Sequence, residues 1–100
     1  MPQGYAGGPA YAGGGHVWRA PQRFRGPAYY FPRGYGYQAW GYGMYLPGAF
    51  FINDYVLYNA YNYGLQPPPP GYEWIRVGHD ALLVQIGTGY ILDVARDLFW

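Results

Sequence analysis

Four consecutive prolines, Pro67–Pro70, restrict this chain more than any other stretch of it. Each proline fixes its own φ and lacks a backbone N–H, so the run can neither continue a helix nor sit inside a sheet. It is expected as an extended polyproline rod. The rod acts as a stiff spacer between the segments on its two sides, and Gly71 directly behind it allows the turn into the next element.

The segment after the prolines is strand-like. "YEWIRV", residues 72–77, alternates: Tyr72, Trp74 and Arg76 fall on one face, Glu73, Ile75 and Val77 on the other. "ALLVQI" comes after Gly78-His79-Asp80, and "YILDV" after Gly87-Thr88-Gly89. Three such runs separated by glycine-containing turns predict an antiparallel meander. In the middle run Leu82, Val84 and Ile86 point one way and Ala81 and Leu83 the other, so both faces of the sheet require cover. Ahead of the prolines, "FFIND" reads as a short strand. Asp54 is placed to cap a short helix through "YVLYNAYNY" that stops at Gly64, with Val56, Leu57, Ala60 and Tyr61 on one face. That helix can cover one side of the sheet. The other side needs the residues that precede it, the terminal "RDLFW", or a partner subunit. The expected fold class is α+β, mainly β: a small antiparallel meander of three to four strands with one short helix, over residues 45–100.

Residues 1–44 are of another kind. They hold eleven of the seventeen glycines, show neither helical nor strand period, and read as a Gly/Tyr/Pro-rich low-complexity arm. The 45–100 unit is so short that it buries only about 60% of its unfolded surface, so cover from the arm or from oligomerisation would help it. Charge divides the same way. The arm carries Arg19, Arg23, Arg25 and Arg33 with no acid, whereas the remainder sets Arg76 and Arg96 against Asp54, Glu73, Asp80, Asp93 and Asp97. The halves should therefore attract one another, within one chain or between chains. In "RFRGPAYYFPRGYGY" arginines stand among tyrosines, and each exposed cation–π pair is worth about 0.5–1 kcal/mol, which makes self-assembly into a homo-oligomer or a matrix one functional reading. RNA stacking on the same residues is a weaker one. Four arginines without any lysine neutralise few phosphates, so nucleic acid is not the expected partner.

The inventory of reactive groups excludes most chemistry. There is no cysteine, serine or lysine, and Thr88 is the sole threonine, which leaves nucleophilic catalysis without its usual residues. Without cysteine, disulfides and thiolate metal sites are also ruled out. The acids form no recognisable acid–base pair, and no phosphate loop is present. An enzyme is not expected, and neither is a bound cofactor. No run reaches the roughly 18 apolar residues of a membrane span, and Met1-Pro2-Gln3-Gly4 lacks the regions of a secretory signal. For metals, His16 and His79 are the only imidazoles. His79 beside Asp80 at a hairpin tip offers one nitrogen and one oxygen to a borderline cation, and His16 in the arm is placed to join a site between chains.

Leu46-Pro47, then "INDY", then "YGLQPPPPGYEWIRVGHDALLVQIGTGYILDV" and the terminal "FW" together resemble the RcnB family of small proteobacterial envelope proteins. The resemblance runs from about Leu46 to Trp100 and leaves the Gly/Tyr arm outside. It implies the family's small β-rich fold and a periplasmic or extracellular location after signal-peptide removal. It further implies a part in nickel and cobalt homeostasis beside an envelope partner, an inner-membrane exporter. The matched residues are turn formers, prolines and strand apolars, which specify a fold and not a set of ligands.

Overall fold

The computed structural model describes residues 15–100. Four strands form one mixed sheet: β1, His16–Arg19; β2, Tyr72–Val77; β3, Asp80–Gln85; and β4, Ile91–Arg96. Their order is β1-β4-β3-β2, with β2, β3 and β4 antiparallel in sequence and β1 parallel to β4. The meander expected from the three alternating runs is therefore present, and a strand from the Gly/Tyr-rich front of the chain extends it into a mixed sheet. Residues 1–14 of the expected arm lie outside the described residues.

Turn chemistry explains the meander. Val77 pairs with Asp80 around the two-residue loop Gly78-His79, and only Gly78 has positive φ, at +62°, as a type II′ hairpin turn requires. Asp80 thus begins β3 and does not lie in the loop. Between β3 and β4 the register shifts at Leu83/Val84, and the Gln85 N–H bonds the Tyr90 carbonyl at 2.8 Å. Ile86, expected on the face of Leu82 and Val84, lies beyond the end of β3 and is half exposed. At the proline run, the Tyr72 N–H bonds the Pro69 carbonyl at 3.0 Å with Gly71 at φ +85°, so the rod ends in a type II turn feeding β2.

The segment before the prolines corrects the expected helix and the expected "FFIND" strand. Among the described residues there is no α-helix, only 3-10 turns at Gly48–Phe50, Asn53–Tyr55 and Ala60–Tyr63. The reason lies in the backbone between the last two. Val56 bridges Ile75, and the Leu57 N–H bonds the Trp74 carbonyl at 2.9 Å, so this stretch closes the outer edge of β2. A residue bonded outward to a strand cannot also bond within a helix. Gly64 does stop the last turn, in the left-handed conformation at φ +75°.

Both sheet faces are buried. On one, Trp74, Ala81, Leu83 and Ala95 pack against Ala60, Leu65, Leu98 and Phe99, joined by Trp18 and Phe24 from the front of the chain. On the other, Ile75, Val77, Leu82, Val84, Ile91 and Val94 lie under Trp40, Leu46 and Phe50, flanked by Phe31 and Met44. Cover for the second face thus comes from residues 31–56 of the same chain.

Candidate functional site

The three sequence-predicted metal-site residues fall at two places. His79 occupies the β2–β3 loop with its side chain exposed, and its Nδ1 lies 3.1 Å from the Phe99 carbonyl oxygen. A carbonyl only accepts, so Nδ1 carries a proton, and in the matching neutral tautomer the lone pair lies on Nε2. Asp80, next along, is buried and fully engaged: Oδ2 accepts from Arg96 Nη1 at 3.0 Å and Oδ1 from the Asp97 N–H at 2.9 Å. Burial pushes its carboxyl up, and the neighbouring Arg96 charge and hydrogen bond oppose that shift.

His16 is on β1, whose register partner is Asp93, three residues along β4 from Arg96. At the rise of a strand this is about 10 Å away from the Asp80–Arg96 pair, so the structure does not bring His16 to His79 and Asp80. It brings His16 to Asp93. The His16 backbone N–H donates to Asp93 Oδ1 at 2.9 Å, and its Nδ1 lies 3.4 Å from the same oxygen. Asp93 is fully buried, its Oδ2 has no hydrogen-bond partner, and neither has His16 Nδ1. Burial pushes the Asp93 carboxyl up against the pull of the His16 and Gly15 N–H groups. One nitrogen and one carboxylate oxygen face each other here, an arrangement that sequence spacing alone does not disclose. The available signal is an acid inside the apolar run "YILDV". Among the described residues, no three His, Cys, Asp or Glu side chains gather as a metal cluster.

The largest polar feature lies elsewhere. Arg76 sits on the apolar face of β2 with 5% of its surface exposed. Its Nε donates to the Gly78 carbonyl at 2.8 Å and its Nη1 to the Pro27 carbonyl at 2.7 Å. Its guanidinium lies 4.4 Å from the centre of the Phe99 ring and 5.6 Å from that of Tyr29. Burial lowers its basicity, and the nearby Tyr55, Tyr29 and Tyr63 oppose the shift. Beside it opens a cavity of about 440 Å³ whose lining includes Tyr29, Tyr37, Arg76, His79 and Trp100. The alternation of "YEWIRV" puts Arg76 beside Tyr72 and Trp74, so a cation on an apolar face is legible in the sequence. The cavity is not, because its other wall comes from residues 26–37, which have no periodicity to read.

The attraction expected between the two halves takes a definite form. Arg19 pairs with Asp97 Oδ2, Arg23 Nη2 lies 3.1 Å from Asp97 Oδ1, and Arg96 Nη2 donates to the Trp40 carbonyl.

A family model described as RcnB, nickel/cobalt transporter regulator, matches residues 43–93. The match takes in the 3-10 turns, the prolines, β2, β3 and β4 as far as Asp93, and so includes Arg76, His79 and Asp80 but not His16 or Tyr29. No curated protein and no solved structure matches the chain.

Proposed function

The chain belongs to the RcnB family, whose model carries the description of a nickel/cobalt transporter regulator, and from that premise we propose that it is a non-enzymatic, periplasmic protein of nickel and cobalt homeostasis that meets the metal weakly through imidazole. The family match carries this reading. Geometry supports it at His79, where a carbonyl holds Nδ1–H and leaves Nε2 exposed, the orientation in which metal-binding histidines are commonly held. Asp80 serves that loop by anchoring β3 to Arg96 and Asp97, with both carboxylate oxygens already bonded. His16 with Asp93 offers a second nitrogen–oxygen pair. Either place supplies two protein ligands at most, so further ligands come from water or from the transporter-side partner, and affinity in isolation is low.

Self-assembly through the front of the chain has less support. Over residues 16–46 β1 is paired to β4, and Phe31 and Trp40 pack on the chain's own sheet, which leaves the exposed Tyr30, Tyr35, Tyr37, Tyr42 and Tyr45 as the side chains such assembly would have to use. The deciding measurement is titration calorimetry with nickel and cobalt on the wild type, His79→Ala and His16→Ala. Weak, saturable heat that His79→Ala removes is expected; heat no greater than dilution in the wild type overturns the metal reading.

A further inference from the structure

Arg76 is a cation taken out of water without an anion. Among the described residues no carboxylate comes within ion-pair distance of it. Asp54 lines a smaller hollow of about 190 Å³ that Arg76 also borders, yet makes no ion pair with it. Two carbonyls occupy two of the five guanidinium donors, and the ring faces of Phe99 and Tyr29 flank the group. Carbonyl dipoles and ring quadrupoles soften the desolvation of a buried charge but do not neutralise it. Tyr29 lines the same cavity, and its hydroxyl is buried without a hydrogen-bond partner. Its phenol is pushed up to about 12, by burial first and then by Tyr55, against the pull of Arg76, so it remains a donor throughout the physiological range.

A buried cation and a buried donor without an acceptor thus belong to the lining of one cavity, whose walls also include Pro27, Phe31, Tyr37, His79 and Trp100. Flat ring faces and a proline select a flat apolar body, while the guanidinium and the phenol select two oxygens that carry negative charge. The volume of about 440 Å³ lies within the range of small-molecule sites. We infer that this cavity is a binding site for a small planar organic anion, an aromatic carboxylate, with the carboxylate on Arg76 and Tyr29 and the ring among Phe31, Tyr37 and Trp100. The inference is independent of the metal proposal. It requires no cation, and although His79 lines the same cavity, its imidazole makes none of the contacts invoked here.

Benzoate is the probe, with benzyl alcohol as the same ring without charge and inorganic phosphate as charge without a ring. Binding is read on the full chain from the indole signal of Trp100 in heteronuclear NMR and from calorimetry. Benzoate is expected to bind at least tenfold more tightly than either comparator. Equal binding of benzyl alcohol overturns the anion claim, equal binding of phosphate overturns the ring claim, and absence of benzoate binding overturns both. Tyr29→Phe keeps the ring and removes only the unpartnered hydroxyl, so it should weaken benzoate about fivefold, as the loss of one hydrogen bond does, and leave benzyl alcohol unchanged. An unaltered benzoate affinity in that variant removes Tyr29 from the site. Arg76→Met should erase the preference for benzoate over benzyl alcohol. Because Arg76 also ties Pro27 to Gly78, Tyr37→Ala stands beside it: Tyr37 is 62% exposed, so the fold tolerates its loss, and benzoate should weaken while phosphate does not change. Retention of full benzoate affinity by folded Tyr37→Ala sinks the placement of the ring.

Discussion

The sheet strands β2–β4 are almost wholly buried, whereas the segment from Gly15 to Leu65 buries only a few side chains, and the two are held by different means. In β2–β4 every residue except Leu92, at the register shift, has a register partner, and side chains alternate between two apolar clusters. The covering segment contributes one four-residue strand and otherwise hangs on a few isolated backbone contacts: Gly15 and Ala20 N–H to the Leu92 and Arg96 carbonyls, Gly43 N–H to Ile91 with Ile91 N–H to Met44, Leu46 N–H to Gly89, and the bridge of Val56 to Ile75. Its side chains are aromatic, and they meet the core edge-on, as Trp40 meets Phe50 and Trp18 meets Trp74. A ladder shares its load over many bonds, whereas a strap has points at which one atom decides.

Gly89 is such a point. With φ at +81° it already favours glycine, and a Cβ there would stand 2.3 Å from the Leu46 carbonyl oxygen, which is backbone and cannot rotate away. Gly89→Ala should therefore cost about 3 kcal/mol or more by urea unfolding, through left-handed strain together with the clash. Gly34 has the same sign of φ, at +87°, but nothing lies near its missing Cβ, so Gly34→Ala should cost only the backbone term, about 1 kcal/mol. Equal losses at the two glycines would remove the idea that the strap is pinned at Leu46.

The two tryptophans test the side chains of each region. Trp74, on β2, is buried and its indole N–H donates to the Gln66 carbonyl at 2.8 Å; Trp40, in the strap, is also buried but its indole N–H has no partner. Trp74→Phe should lose ring volume together with the indole hydrogen bond to Gln66, about 2–3 kcal/mol. Trp40→Phe loses volume but relieves an unpaired donor, and should cost about 1 kcal/mol or less. Thermal unfolding of both variants reads the order, and a larger loss at Trp40 would reverse the account.

This contrast also explains what the sequence discloses. The period of two in "YEWIRV" and "ALLVQI", with glycines at the turns, is a local signal, and it locates β2, β3 and most of β4 together with the demand that both faces be covered. β1 carries no such signal: "HVWR" comes after three glycines, and only its parallel fit against β4 makes it a strand. The helix expected at 54–63 fails for a related cause. Val56, Leu57, Ala60 and Tyr61 do fall at helical spacing, but Val56 and Leu57 gain more by bonding the open edge of β2, a tertiary partner that no local window contains. His79 lies in its loop as the glycine-marked turn indicates, whereas the acid inside "YILDV" marks Asp93 but nothing local pairs it with His16, 77 residues away.

Asp93 lies on the seam between the two regions, and there the smallest effect is expected. Its carboxyl is pushed up by burial, so the folded-state value exceeds the unfolded one, and ionising it costs stability. Below the unfolded value both states are protonated and nothing is lost; as pH rises through the raised folded value the penalty grows to its full size and stays there. Asp93→Asn keeps an oxygen to accept the His16 N–H and removes the charge. It should raise stability by about 1 kcal/mol at pH 8, on the scale of relieving one poorly satisfied buried group, and leave it unchanged at pH 3. The difference between variant and wild type isolates this carboxyl from Asp80, whose titration is common to both. Should the variant prove less stable at pH 8, the charged acceptor that Asp93 offers the His16 N–H outweighs the burial of the charge, and the strap would be fastened to β4 by that contact and not by its other backbone bonds and aromatic packing.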